Sequence, residues 1–118
     1  MKNTSTNFGM AVTILAQFGG TKALDLIHGT ILSVTENRVD IEFSGSKQAK
    51  CMQICYDYDS DDYTVTFSSG NFLLNGESTI FEGIYCDQLQ DLFADYTGIN
   101  MDSVRIEFGD VYEVREGP

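Results

Sequence analysis

The sequence predicts an α+β fold, with a mainly antiparallel sheet of about five strands, two short N-terminal helices and one longer helix near residues 84–97. Three patterns lead to this prediction. Apolar residues recur at helical spacing near the N-terminus, they alternate with polar residues through the middle of the chain, and they return to helical spacing once more before the C-terminus. A length of 118 residues is typical of one domain, so residues 1–118 are assigned to a single domain.

The N-terminal part predicts two helices. Apolar residues are nearly continuous from Phe8 to Phe18, and they recur at helical spacing from Thr21 to Ile27. Between the two segments, Gly19 and Gly20 predict a break. His28 ends the second segment, where it is expected to cap the helix rather than to act in catalysis.

The middle of the chain predicts strands, because the apolar period changes to two after Gly29. Glu36 and Asn37 interrupt the first alternation and predict a hairpin turn, and Asn75–Gly76 is a second turn signal. The apolar members of the alternating segments are Leu32, Val34, Val39, Ile41, Phe43, Met52, Ile54, Tyr56, Tyr58, Tyr63, Val65 and Phe67.

The segment from Ile84 to Thr97 predicts the longest helix, which Gly98 ends. Its apolar stripe is expected to pack on the sheet and consists of Tyr85, Leu89, Leu92, Phe93 and Tyr96. A final strand is predicted from the alternation of Val104, Ile106 and Phe108 with charged residues.

The net charge of -11 is concentrated in one half of the chain. Residues 1–56 hold five cationic and four anionic side chains, whereas the remainder holds two cationic and fourteen anionic ones. Such asymmetry is typical of proteins with an electrostatic role toward a partner. It also excludes direct binding to duplex DNA, which requires a basic surface.

The stretch DYDSDDY, from Asp57 to Tyr63, carries four carboxylates between two predicted strands. Its first, third and fifth residues match the first ligand positions of a calcium-binding EF-hand loop, but Asp62 replaces the required glycine and Ser68 the final glutamate. Three interpretations remain: a calcium site, a charged turn that only contacts solvent, and a surface that meets a basic partner.

The predicted late helix carries Asp87, Asp91 and Asp95 at positions i, i+4 and i+8. Like charges at this spacing destabilise a helix by about 0.2–0.5 kcal/mol per pair, so folding alone does not favour the row. Successive members rise by about 6 Å along the helix, and such a line of negative charge can occupy a groove built for phosphates. The alternative is a solvated helix face.

No residues are assigned to catalysis, to metal binding or to a cofactor. Cys51 and Cys55 lie on one strand without a further Cys or His pair, which is a poor zinc site, and a structural role is expected for both. The chain has no apolar run of about 20 residues to span a membrane and no cleavage site of a signal peptide. An odd number of cysteines agrees with a reducing, intracellular compartment.

Three segments carry a resemblance, namely TILAQFGGTKALDLI at 13–27, YTVTF at 63–67 and YCDQLQDLFADYTG at 85–98. They resemble a group of small, uncharacterised proteins of phages and other mobile elements, which share an ILxQxGGxK segment, a YxVxF strand and a Y-x-x-QL helix ending in Thr-Gly. The resemblance covers most of the chain and implies a mobile-element origin, but it brings no activity and no catalytic residues. The acidic DYDSDD insert departs from the group's pattern.

Small acidic phage proteins include anti-CRISPR and anti-restriction inhibitors that occupy nucleic-acid sites on host defence complexes. By this analogy we expect a non-catalytic inhibitor in the host cytoplasm, with a basic nucleic-acid-binding protein of the host as its partner. The predicted partner-binding residues are Asp57, Tyr58, Asp59, Asp61, Asp62, Tyr63, Asp87, Asp91 and Asp95. The two tyrosines are included on condition that they are exposed. The alternatives are a phage accessory or assembly protein with a neutral protein interface and a metal-dependent enzyme that uses clustered carboxylates.

Overall fold

The computed structural model describes residues 9–70 and 77–106. Within these ranges the chain forms three α-helices and one five-stranded antiparallel sheet, which confirms the predicted α+β class. The elements, in chain order, are α1 Gly9–Phe18, α2 Gly20–Ile27, β1 Thr30–Thr35, β2 Arg38–Glu42, β3 Cys51–Asp57, β4 Asp62–Ser68, β5 Ser78–Ile84 and α3 Leu89–Thr97. One 3₁₀ turn, Cys86–Gln88, precedes α3, and another, Asp102–Val104, follows it.

The sheet is a meander in which each strand pairs with the next one along the chain, in the order β1-β2-β3-β4-β5. The period of two places alternate side chains on one face. One cross-strand row of that face consists of Val39, Ile54, Val65 and Phe81, which are directly paired from β2 to β5. The first three of these are buried, so this face forms the floor of the core.

The helices cover the apolar face through a cluster of phenylalanines centred on α3. The ring of Phe93 lies 5.2 Å from that of Phe18 in α1, 5.1 Å from that of Phe43 and 6.3 Å from that of Phe67 in β4. All four rings are at most 4% exposed. One core therefore joins the N-terminal helices, the sheet and α3.

The break between α1 and α2 lies at Gly19, as the sequence predicts. Gly19 has a φ of 129°, and a Cβ atom there would lie 2.6 Å from the Cβ of Ala23, so no larger residue fits without a shift. At the end of α2, His28 takes the left-handed conformation of a C-cap, and its backbone N–H donates to the carbonyl of Asp25.

No single helix of the described residues is long and apolar enough to cross a membrane; α1 and α2 reach that length and composition only together, with a bend of 63°.

The start of the late helix differs from the prediction. Ile84 is the last residue of β5, and the α-helix begins at Leu89, after a 3₁₀ turn. Tyr85 has an extended backbone and a side chain that is 56% exposed, so it does not belong to the apolar stripe. Gln88 causes this geometry, because its side chain accepts a hydrogen bond from the backbone N–H of Tyr85 at 2.8 Å and its own N–H donates to the Tyr85 carbonyl.

The predicted final strand is wrong at its first residues. Val104 closes the second 3₁₀ turn, and the backbone N–H of Ile106 donates to the side chain of Gln90 at 2.9 Å instead of to a neighbouring strand. The fifth strand is Ser78–Ile84. Its apolar residue Ile80 is 60% exposed, so apolar residues of this strand do not mark the buried face alone and the alternation is hard to recognise in the sequence. Phe108 and the predicted Asn75–Gly76 turn lie outside the described residues.

Candidate functional site

The acidic stretch forms the turn between β3 and β4, and its own carboxylates shape it. One oxygen of Asp57 accepts hydrogen bonds from the backbone N–H groups of Asp59, at 2.9 Å, and of Ser60, at 3.4 Å. Asp61 takes the left-handed conformation, with a φ of 57°, and its N–H donates to the carbonyl of Asp57. Aspartate suits both positions, because its short side chain bonds to nearby backbone and tolerates this conformation. The turn is thus ordered with its acids at the surface.

The three tyrosines of this hairpin lie in different environments. Tyr56 donates a hydrogen bond to Asp61, and its ring meets those of Tyr58 and Tyr63 edge to face at 5.0 and 5.6 Å. Tyr58 is 58% exposed, whereas Tyr63 is 3% exposed and donates its hydroxyl proton to Gln17. Burial raises the pKa of Tyr63 to about 12, so it remains a neutral donor. Tyr63 therefore leaves the predicted set of partner-binding residues, because a buried ring cannot contact a partner.

The three aspartates of the late helix do not form one uniform line. Asp87 lies in the 3₁₀ turn before α3, while Asp91 and Asp95 lie on the α-helix itself. Arg105 donates hydrogen bonds to both Asp91 and Asp102, and these bonds raise the pKa of the guanidinium. Asp91 is therefore paired with a cation, which the sequence alone did not indicate. Asp87 and Asp95 form no ion pair within the described residues and remain as exposed negative charges.

A pocket brings the acidic turn and the start of the late helix together. It has a volume of about 640 Å³, lies between the turn, α1 and the 3₁₀ segment, and is open to solvent on one side. We name it the tyrosine pocket. Its lining includes Met10, Tyr56, Asp61, Asp62, Tyr85 and Asp87. Sequence reasoning missed the pocket, because Asp62 and Asp87 lie 25 positions apart along the chain and Tyr85 was expected in the core.

The electrostatic character of this region is uniformly negative. No lysine, arginine or histidine is among the described residues that line the tyrosine pocket. The four carboxylates of the turn form no ion pair within residues 9–70 and 77–106. Concave sites lined by charge of one sign concentrate the field and attract partners of opposite charge. The arrangement can therefore bind a cationic group.

Cys51 and Cys55 lie on the sheet face opposite the core strip of β3, as the sequence predicts. Cys51 is 1% exposed, and Cys55 accepts a weak hydrogen bond from the side chain of Asn37. Burial raises the pKa of both thiols, so they stay protonated and unreactive near neutral pH. These features favour a structural role.

Calcium binding by the turn is testable by thermal unfolding. Within the described part of the chain, no group of three or more His, Cys, Asp or Glu side chains is placed to hold a metal ion. A site with a Kd of about 10 µM would stabilise the fold by about 2.7 kcal/mol at about 1 mM free calcium, whereas a plain turn gains nothing. We expect an unchanged Tm on adding calcium to chelator-treated protein, with magnesium as the ionic-strength control. A rise that calcium alone produces, and that Asp59→Asn abolishes, would establish a calcium site.

The chain was compared with protein-family models, with curated proteins and with solved structures. None of these comparisons found a match. The resemblance to phage and mobile-element proteins therefore stays an expectation.

Proposed function

We propose that the protein is a non-catalytic phage or mobile-element inhibitor, of the anti-CRISPR or anti-restriction kind, that acts in the cytoplasm of the host. Its acidic surface binds the basic nucleic-acid-binding site of a host defence protein, and it contacts neither nucleic acid nor membrane. One observation carries the proposal. Asp61 and Asp62 of the acidic turn border the same pocket as Asp87, and in the described residues no cation forms an ion pair with these three or with the turn's other carboxylates.

The physical basis is the competition between carboxylates and phosphates for the same cations. A nucleic-acid-binding site presents lysine and arginine side chains at positions that match regularly spaced phosphates. Exposed aspartates at Asp57, Asp59 and Asp61, together with Asp87, offer such cations an alternative set of anions on a rigid scaffold. Complementary charge mainly accelerates association and selects the partner. Tyr58, which is exposed beside the acids, adds an aromatic contact of the kind common at interface hot spots.

The test is a binding titration with a partner identified by pull-down from host lysate at two salt concentrations and then purified. The turn variant replaces Asp57, Asp59, Asp61 and Asp62 by asparagine, which keeps the hydrogen bonds of Asp57 and tolerates the backbone of Asp61. We expect this variant to bind at least about tenfold more weakly at low salt. The parent protein should associate more slowly as salt rises, since salt screens exposed charge over about 8 Å at physiological ionic strength.

The matched control removes four exposed carboxylates elsewhere, through Asp25→Asn, Glu36→Gln, Glu42→Gln and Glu77→Gln. It changes the net charge equally but leaves the turn intact. Equal losses of affinity in both variants would show that net charge alone explains the effect. Unchanged affinity of the turn variant at both salt concentrations would contradict the proposal. A duplex oligonucleotide should displace the parent protein from the partner. Simultaneous binding of both would also contradict it.

The accessory-protein alternative predicts a different surface. Ile31 and Leu32 on the edge strand β1 are 39% and 45% exposed and offer a neutral, apolar contact far from the acids in sequence. Ile31→Ser and Leu32→Ser should leave binding unchanged if the acidic surface is the interface. Loss of binding in these variants, with full binding by the turn variant, would favour the alternative.

A further inference from the structure

The tyrosine pocket holds a large aromatic side chain outside the core. Tyr85 is 56% exposed although the chain around it is ordered. Ile84 is the last residue of β5, and Gln88 forms two hydrogen bonds to the backbone of Tyr85, one to its N–H and one to its carbonyl. The backbone of Tyr85 is thus fixed, and its side chain lines the pocket. A residue whose backbone is already ordered loses only side-chain conformational entropy when it binds.

The second wall of the pocket is also aromatic and also fixed. Tyr56 belongs to β3, its hydroxyl donates to Asp61, and its ring packs edge to face against the buried Tyr63. Met10 of α1 adds an apolar, polarisable surface to the lining. The volume of about 640 Å³ falls within the range of about 300–1,000 Å³ that ligand pockets occupy.

The carboxylates of the pocket are not equivalent. Asp61 already accepts a hydrogen bond from Tyr56, and Asp62 accepts one from Ser60 at 2.6 Å. The carboxylate of Asp87 forms no hydrogen bond or ion pair with any described residue, so both of its oxygens can accept from a ligand. The pocket therefore combines tyrosine rings, an unoccupied carboxylate and two further negative charges.

This combination selects among cations. A guanidinium stacks on an aromatic face through its plane and donates two parallel hydrogen bonds to one carboxylate, whereas an ammonium is a compact and strongly hydrated point charge. We propose that the tyrosine pocket binds an arginine side chain from the partner's nucleic-acid-binding surface, an inference that rests on the proposed function. Tyr85 supplies the stacking face, and Asp87 accepts the paired N–H groups.

The test uses the isolated protein and three short peptides of the form acetyl-Gly-X-Gly-amide, in which X is arginine, lysine or citrulline. Citrulline has the shape of arginine without its charge. Titration is followed by ¹H–¹⁵N NMR. We expect the arginine peptide to bind with a Kd on the order of 1 mM and to shift the amide signals of Tyr56, Tyr85 and Asp87. The lysine peptide should bind at least about threefold more weakly, and the citrulline peptide at least about tenfold more weakly.

Two pairs of matched variants place the site. Tyr85→Ala and Asp87→Asn should each weaken the arginine peptide by about fivefold or more. Ile80→Ala removes a large side chain that is 60% exposed and lies outside the pocket, and Asp25→Asn removes an exposed carboxylate outside the pocket, so both should stay within about twofold of the parent. All four residues are exposed, so folding is preserved, and the NMR spectra of the free variants verify this.

Three outcomes overturn the inference. They are equal affinity for the arginine and citrulline peptides, equal affinity for the arginine and lysine peptides, and shifts that map away from the pocket or are absent at saturating concentrations. Failure here is distinguishable from failure of the proposed function. Suppose that the turn variant loses the partner, but that the arginine peptide causes no shift of the pocket signals in the parent protein. This result would keep the acidic interface and reject only the arginine site. The reverse pattern would retain an arginine pocket in a protein with another role.

Discussion

Replacing Phe93 with alanine is expected to destabilise the protein by about 3–5 kcal/mol, which is the usual range for a buried phenylalanine. Its ring is 1% exposed and contacts phenylalanines of α1, of β4 and of the segment after β2. The truncation would leave a cavity where three parts of the fold meet. The measurement is urea unfolding followed by circular dichroism, because the chain has no tryptophan for fluorescence.

Leu92→Ala is the matched control for the same helix. Leu92 is only partly buried beside the core, so its truncation should cost clearly less than that of Phe93. Leu89, which is 3% exposed, should resemble Phe93 and lose about 2–5 kcal/mol as alanine. Equal and small losses for Phe93→Ala and Leu92→Ala would show that α3 does not pack on the sheet as described.

Gln90→Ala is expected to have the second large effect, a loss of about 2 kcal/mol, since the buried carbonyl of Phe18 is left unpaired, which costs about 1–3 kcal/mol, and two part-buried bonds are lost as well. Gln90 is 4% exposed and bonds to three backbone groups. Its side-chain nitrogen donates to the carbonyls of Phe18 at 2.8 Å and Val104 at 2.9 Å, and its oxygen accepts from the N–H of Ile106. One side chain thus ties the end of α1 to the segment that follows α3.

Gln90→Glu separates these hydrogen bonds from simple packing. Glutamate has nearly the same shape and can still accept from Ile106, but its carboxylate cannot donate to the two carbonyls. Burial against carbonyl oxygens favours the protonated acid, which raises its folded pKa. Relative to the parent at the same pH, the variant should therefore be weakest at neutral pH and should recover as the pH falls and the acid gains a proton.

Gln48→Ala, at an exposed glutamine, is the control and should stay within about 0.5 kcal/mol of the parent. A pH-independent loss in Gln90→Glu, equal to that of Gln90→Ala, would mean that shape rather than hydrogen bonding is what Gln90 contributes.

The sequence by itself determined the elements whose pattern is local and strongly periodic. Alternation of apolar and polar residues defined β2, β3 and β4, because a strand buried on one face needs that period. Glu36–Asn37 as a turn and the break at Gly19 followed from backbone preferences that act within a few residues. The charge asymmetry and the location of the acidic turn were also readable, since they are sums over residue types.

Only the tertiary structure decided what depends on residues distant in the sequence. Tyr85 fits the helical stripe by spacing, but Gln88 and the end of β5 hold it outside, and Tyr63 is buried because Gln17 and the core surround it. Arg105 pairs with Asp91 across a helix end, which no local pattern encodes. The tyrosine pocket exists for the same physical reason. The pairing of β4 with β5 sets Tyr63 opposite Ile84 and so places the β3–β4 turn beside the 3₁₀ segment, and α1 completes the lining with Met10.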